Sequence, residues 1–156
     1  MEKTHQDSVI APVVEAQMLI RKPVDEVFNA FIDPLYTTHF WFTKSSGSLE
    51  EGKTVVWEWE MYDVSSEVHV STIRQNEIIT ISWDKGQTTI DFLFESKSAS
   101  STYVIIRQTG FKSIGTDLLA EVIDATGGFT TVLDGMKAYL EHGIDLNLIG
   151  DKFATK

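Results

Sequence analysis

The chain has 156 residues and a formal net charge of −10, from 23 acidic and 13 basic side chains, and 42% of its residues are hydrophobic. This length suits one domain with its own core, and the hydrophobic share is too high for disorder. The chain has no cysteine, which excludes disulfides, thiolate catalysis and cysteine-ligated zinc. Its acidic balance argues against binding to nucleic acid.

Residues 1–12 are polar and are expected to form a flexible tail ahead of one domain spanning 13–150, with a second tail at 151–156. No apolar run has the length of a signal peptide, and none approaches the roughly 18 residues of a membrane span. We therefore expect a cytoplasmic protein that does not insert into membranes.

The first elements follow from the spacing of apolar residues. Every second residue from Val14 to Ile20 is apolar, which predicts a strand with one buried face. Pro23 then opens a helix, since its fixed φ suits a first helical turn, and apolar residues at helical spacing continue to Phe31. Asp33-Pro34 ends this helix, and residues 35–40 are expected to form a second short one.

The middle of the chain consists of short runs rich in β-branched and aromatic residues. Each run predicts a strand: 55–62, 67–74, 78–83, 88–95 and 102–108, with one more around 47–49. The links between the runs are so brief that consecutive strands are expected to pair antiparallel.

From Asp117 the apolar residues return to the helical period. Gly127-Gly128 predicts a break, hence a short helix followed by a long one that begins near Gly128 and ends near Gly143. A sheet with one apolar face must be covered, and this helix is the only predicted element long enough. The fold class is therefore α+β.

Several motifs resemble a known family. Residues 20–31 followed by Asp33-Pro34 are similar to the start of START-related, Bet v-like (SRPBCC) proteins. Within this superfamily they are most similar to the bacterial homologues of the activator of the 90-kDa heat-shock ATPase. These bacterial homologues resemble the C-terminal domain of the activator. Members carry a Gly-Trp pair before the last helix and a Leu-Glu-x-Gly ending. Gly128-Phe129 and residues 140–143 occupy these places here.

The resemblance implies a helix-grip fold, in which a curved antiparallel sheet of about six to seven strands wraps around a long C-terminal helix, with two short helices after the first strand. The superfamily includes lipid carriers, aromatic-polyketide cyclases and chaperone partners. Binding of an apolar ligand is thus favoured, and a stress-related chaperone partner is the weaker expectation, because eukaryotic activators use a separate chaperone-binding domain.

No pattern of catalytic residues stands out. The four histidines lack metal-ligand spacing, and neither a Gly-x-Ser-x-Gly motif nor a glycine-rich phosphate loop is present. Glu58 and Glu60 are expected on a solvated strand face, and His69 is either a solvent-facing residue or a polar group of a pocket. We expect no metal, no cofactor and no catalytic residue, although a cyclase-like enzyme that acts by cavity shape stays open.

Four tryptophans are many for this length, and large aromatic side chains need burial. We expect a cavity lined by aromatic residues between the sheet and the last helix, with close packing of that space as the alternative. The expected lining is His39, Trp41, Trp57, Trp59, Met61, Phe92, Phe94, Phe129 and Met136. The first hypothesis is non-enzymatic binding of a small hydrophobic or aromatic ligand, by a monomer or a dimer. The second is a protein-interaction module that resembles chaperone activators.

Overall fold

The computed structural model describes residues 11–83 and 87–153, in which one antiparallel sheet packs against one long helix. The strands lie side by side in the order β1-β7-β6-β5-β4-β3-β2, and every neighbouring pair is antiparallel. Their bounds are β1 (Val14–Ile20), β2 (Lys44–Ser45), β3 (Thr54–Trp59), β4 (Val64–Arg74), β5 (Ile78–Trp83), β6 (Thr88–Ser98) and β7 (Ser101–Thr109).

The helices are α1 (Val24–Ile32), α2 (Pro34–Thr37), α3 (Gly115–His142) and α4 (Leu148–Lys152), and a single 3-10 turn covers Glu60–Tyr62. The predicted fold class is confirmed: two short helices follow the first strand, and a long helix near the C-terminus covers an antiparallel sheet. No helix in the described ranges is both long and apolar enough to cross a membrane.

The core lies between the inner face of the sheet and the second half of α3. Period-two alternation places Val104 and Ile106 of β7 at 0% exposure, while their sequence neighbours are only half-buried. From α3, the buried side chains are Phe129, Val132, Leu133 and Met136. Helix α1 supplies a further buried stripe at helical spacing, which agrees with the predicted one.

The predicted break at Gly127-Gly128 is wrong, because α3 runs without interruption from Gly115 to His142. Helix propensity is a weak local preference, and a glycine in a helix costs only about 1 kcal/mol relative to alanine. Threonine hydroxyls around the pair donate to carbonyls one turn earlier, from Thr126 to Val122 (2.7 Å) and from Thr131 to Gly127 (2.9 Å). The helix therefore continues through the two glycines.

Other boundaries also differ from the predicted ones. Strand β3 ends at Trp59, so Met61 lies in the 3-10 turn and is 43% exposed instead of continuing the apolar strand face. The extra short strand is Lys44–Ser45, not 47–49, and it pairs with β3. The sequence patterns gave no sign of α4. This helix extends into the segment 151–156 that was expected to be a tail.

Candidate functional site

A cleft of about 1040 Å³ opens between the first half of α3 and the strands β3 to β7. Along α3 the cleft runs from Glu121 to Val132, and beyond it Leu133 and Met136 are fully buried in the core. A straight helix crossing a curved sheet can touch it closely only over part of its length. Gly128, which lines the cleft, adds no side chain to fill the gap.

Aromatic rings form the inner wall of this cleft. The indoles of Trp41 and Trp83 stack nearly parallel, with ring centroids 6.0 Å apart and planes 12° apart. Trp59 meets Trp83 edge-on at 5.8 Å, and Phe129 of α3 meets Trp41 edge-on at 6.1 Å. Trp41, Trp59 and Phe129 are each at most 9% exposed. The wall is aromatic and apolar, which suits contact with an aromatic ring.

Two neutral polar side chains lie among these rings. Gln108 at the end of β7 is 5% exposed, Thr88 at the start of β6 is 6% exposed, and both line the cleft. Gln108 Nε2 donates a hydrogen bond of 3.0 Å to Thr88 Oγ1. The buried described residues of the lining are Trp41, Trp59, Thr88, Gln108, Phe129 and Val132. None of these six side chains carries a charge near neutral pH.

Charged groups are confined to the exposed mouth of the cleft. Glu121 and Asp124 come from the exposed side of α3, Glu67 comes from β4, and Lys112 and Lys152 contribute positive charge. The hydroxyl of Ser113 donates to Glu121 Oε2. Charges of both signs at the mouth are exposed to solvent, where their effect on a ligand is weak.

Three of the nine residues expected to line a cavity, Trp41, Trp59 and Phe129, lie on the wall of the cleft. Four others lie in the packed core behind that wall: Trp57, Phe92, Phe94 and Met136. Trp57, for example, is 1% exposed and stacks on Phe42 at 4.4 Å. The expectation that all the inward aromatic residues surround one open space is therefore corrected, because part of that space is filled.

The remaining two residues, His39 and Met61, line a separate small pocket of about 220 Å³ beside α4. The His39 ring stacks on Tyr139 with centroids 4.2 Å apart, and its Nδ1 lies 3.4 Å from Asp145 Oδ2. These contacts hold His39 against the end of α3 and the loop that follows. His39 thus lies outside the aromatic cleft.

The polar residues His69, Glu58 and Glu60 are not among the residues that line the cleft. His69 is exposed and its Nδ1 is 3.1 Å from Thr54 Oγ1. Glu58 is half-buried, and Glu60 is exposed and lies in the 3-10 turn. Within the described ranges, no group of three or more histidine and acidic side chains is placed to hold a metal ion.

Sequence reasoning missed Gln108, Thr88 and Trp83 as parts of the site. A signal for Gln108 was present, because it follows Val104 and Ile106 at period two and therefore had to face inward. Inward positions are usually apolar, so a polar residue at one of them is a sign of a functional site.

Comparison with known proteins places these observations in a family. The family model described as "Activator of Hsp90 ATPase homolog 1-like protein" matches residues 21–141. No curated protein sequence matches the chain.

Several solved structures have the same fold. Protein SSP2350 from Staphylococcus saprophyticus is 29% identical, with a TM-score of 0.75 over 86% of this chain and 96% of that one. DynU16, from the dynemicin biosynthetic locus, is 18% identical with a TM-score of 0.74, over 85% of this chain and 48% of that one. PFC0360w, an Hsp90 activator from Plasmodium falciparum, is 16% identical with a TM-score of 0.67, over 83% and 96%. At 18% and 16% identity, the last two likenesses concern the fold alone.

Proposed function

The chain belongs to the family of Activator of Hsp90 ATPase homolog 1-like proteins, and within this family we propose that it binds a small hydrophobic or aromatic molecule in the cleft between the sheet and α3, without catalysing a reaction. The solved relatives extend from an Hsp90 activator to a protein of a biosynthetic locus, so the family does not specify one activity. The proposal therefore depends on the site itself.

The observation that carries the proposal is the aromatic inner wall of a cleft of about 1040 Å³. Sites for small molecules are concave, mostly apolar and equipped with a few polar groups, and their volumes are commonly about 300–1000 Å³. The indoles of Trp41, Trp59 and Trp83 supply the apolar surface, and the Gln108–Thr88 pair supplies the few polar groups. Among residues 11–83 and 87–153, the buried lining has no acid or base to transfer a proton, which favours binding over catalysis.

Tryptophan fluorescence and thermal unfolding test this function directly, with a panel of fatty acids, sterols and polycyclic aromatic compounds. A ligand in the cleft contacts the indoles and changes their emission. It also stabilises the fold by mass action, by about 2.7 kcal/mol at a hundredfold excess over its dissociation constant. If no compound of the panel changes either the emission or the melting temperature, the proposed function is wrong.

A second candidate function, interaction with a chaperone of the Hsp90 type in a stress response, is supported by the family and by an exposed apolar surface. Ile114, Leu119 and Ile123 are 83%, 59% and 63% exposed along the start of α3. Exposed apolar side chains that lie together are a common mark of protein contacts. Addition of this protein to the chaperone of its host should then raise ATP turnover, and the double variant L119S/I123S should not. Unchanged turnover with the wild-type protein would remove this function.

A further inference from the structure

Gln108 is a buried polar side chain whose hydrogen bonds are only partly used. It is 5% exposed and lines the cleft, and its Nε2 donates to Thr88 Oγ1 at 3.0 Å. Within residues 11–83 and 87–153, this is the one side-chain hydrogen bond that Gln108 makes. A glutamine carboxamide has two N–H donors and an oxygen that accepts. The Oε1 atom is therefore available, and buried polar atoms in folded proteins usually have partners.

Thr88 adds a hydrogen-bond donor beside the free acceptor of Gln108. Its hydroxyl oxygen accepts from Gln108 Nε2, so its own proton is free to be donated. The pair thus presents one acceptor, Gln108 Oε1, close to one donor, the Thr88 O–H. A hydroxyl group both donates and accepts one hydrogen bond, and it matches this pattern.

The residues around the Gln108–Thr88 pair indicate which kind of ligand would bear this hydroxyl group and whether the ligand would be charged. The pair shares the cleft wall with the indoles of Trp41 and Trp83, which offer flat apolar surface. A carboxylate at this depth would lose its hydration without meeting a cation, because Lys112 and Lys152 are exposed at the mouth. The group that fits is therefore a neutral hydroxyl on an aromatic ring.

We propose that the Gln108–Thr88 pair selects, among aromatic molecules that enter the cleft, those that carry a hydroxyl group, which donates to Gln108 Oε1 and accepts from the Thr88 hydroxyl. This inference rests on the proposed function, because it names the ligand class of the same cleft. It makes Gln108 the residue that determines specificity, whereas the indole wall supplies most of the binding surface.

Titration calorimetry with three related probes tests the proposal: β-naphthol, its methyl ether, and naphthalene. The ether is more apolar than the naphthol, so burial of apolar surface alone favours the ether. Wild-type protein should nevertheless bind β-naphthol about tenfold or more tighter than the ether, because the ether leaves Gln108 Oε1 without a donor. The variant Gln108→Leu should reduce this preference to within about twofold, since it removes the polar partner.

Gln87→Leu is the matched control, because Gln87 lines the same cleft but is exposed. It should keep the full preference. Thr88→Val removes the hydroxyl with little change of shape and should also reduce the preference, so the test does not depend on how well Gln108→Leu folds. Equal binding of all three probes by wild-type protein, or an unchanged preference in Gln108→Leu and Thr88→Val, overturns the proposal and leaves the proposed function standing. Absence of binding by all three probes also overturns the proposal, whereas the proposed function fails only if the fatty acids and sterols of the panel do not bind either.

Discussion

The Glu141 carboxylate accepts a hydrogen bond of 2.7 Å from the backbone N–H of Arg21, which lies 120 residues earlier in the chain. The same oxygen, Oε2, accepts a second bond of 2.7 Å from Lys137 Nζ, and that ammonium also donates to Leu19 O at 2.8 Å. Glu141 is only 9% exposed. These bonds attach the end of α3 to the end of β1, so the Glu of the Leu-Glu-x-Gly ending has a structural role.

Glu141 should make the stability of the fold depend on pH. Burial by itself raises the pKa of Glu141, but the hydrogen bonds from Lys137 and Arg21 outweigh it and lower the pKa below its ordinary value of 4.5. Because the folded pKa is the lower one, the stabilisation is fully present above the ordinary value and is lost as the pH falls through the folded pKa. The variant Glu141→Gln should be less stable by about 1–2 kcal/mol near neutral pH, and this deficit should shrink below about pH 4.5.

Urea unfolding at several pH values measures this difference. Asp134→Asn is the matched control, since Asp134 is exposed and lies about two turns earlier on the same helix. It should change the free energy of unfolding by no more than about 0.5 kcal/mol at any pH. A deficit of Glu141→Gln that stays constant down to about pH 3 would contradict the assignment.

The two methionines expected to line the cavity should respond differently to truncation. Met136 is fully buried in the core, so Met136→Ala should cost about 2–5 kcal/mol through lost burial and the space left behind. Met61 is 43% exposed in the 3-10 turn, so Met61→Ala should change stability by at most about 0.5 kcal/mol. Chemical denaturation of the two variants side by side measures both. If Met61→Ala and Met136→Ala lowered the free energy of unfolding by similar amounts, Met61 would have to be packed in the core as a strand residue.

Because α3 continues through Gly127, this glycine can be replaced by a residue that favours the helix. A Cβ atom at Gly127 would lie 3.6 Å from Lys152 Nζ, an ordinary contact, so Gly127→Ala should raise the free energy of unfolding by about 0.5–1 kcal/mol. Gly143 is the contrasting position, because its φ of 67° is left-handed and Gly143→Ala should cost about 1 kcal/mol. Thermal unfolding and helical circular dichroism measure both changes. A destabilised Gly127→Ala variant would indicate that the chain turns at that glycine.

A large side chain placed in the cleft from α3 should weaken ligand binding without loss of stability. No atom lies within 4 Å of a Cβ built at Gly128, which lines the cleft. We expect the indole of Gly128→Trp to extend into the open cleft and to weaken binding of any cleft ligand by about tenfold or more, equivalent to about 1.4 kcal/mol. Gly128→Ala is the control that keeps the cleft open. Undiminished affinity in the folded Gly128→Trp variant would place the ligand elsewhere.

Local patterns were sufficient for most of the fold. Period-two alternation identified β1 and a short run of β-branched and aromatic residues identified β5, both with their observed bounds, and helical spacing after Pro23 identified α1. The wrong predictions concern segments in which the local preference for helix or strand is weak or absent. Gly127-Gly128 carries only a modest propensity penalty, and Leu148–Lys152 is too short to show a period. Helix α4 is instead held by a tertiary contact, in which the Tyr62 hydroxyl donates to Ile149 O at 2.5 Å.

The sequence by itself determined the α+β class, the antiparallel pairing of consecutive strands and the family. Only the tertiary structure decided which inward residues fill the core, such as Trp57 and Met136, and which face an open cleft, such as Trp59 and Gln108. Alternation tells which face of a strand a side chain occupies, and this is a local property. Whether that side chain meets a partner depends on the distance between α3 and the curved sheet at that point. This distance is set by every contact along the helix, so no short stretch of sequence contains it.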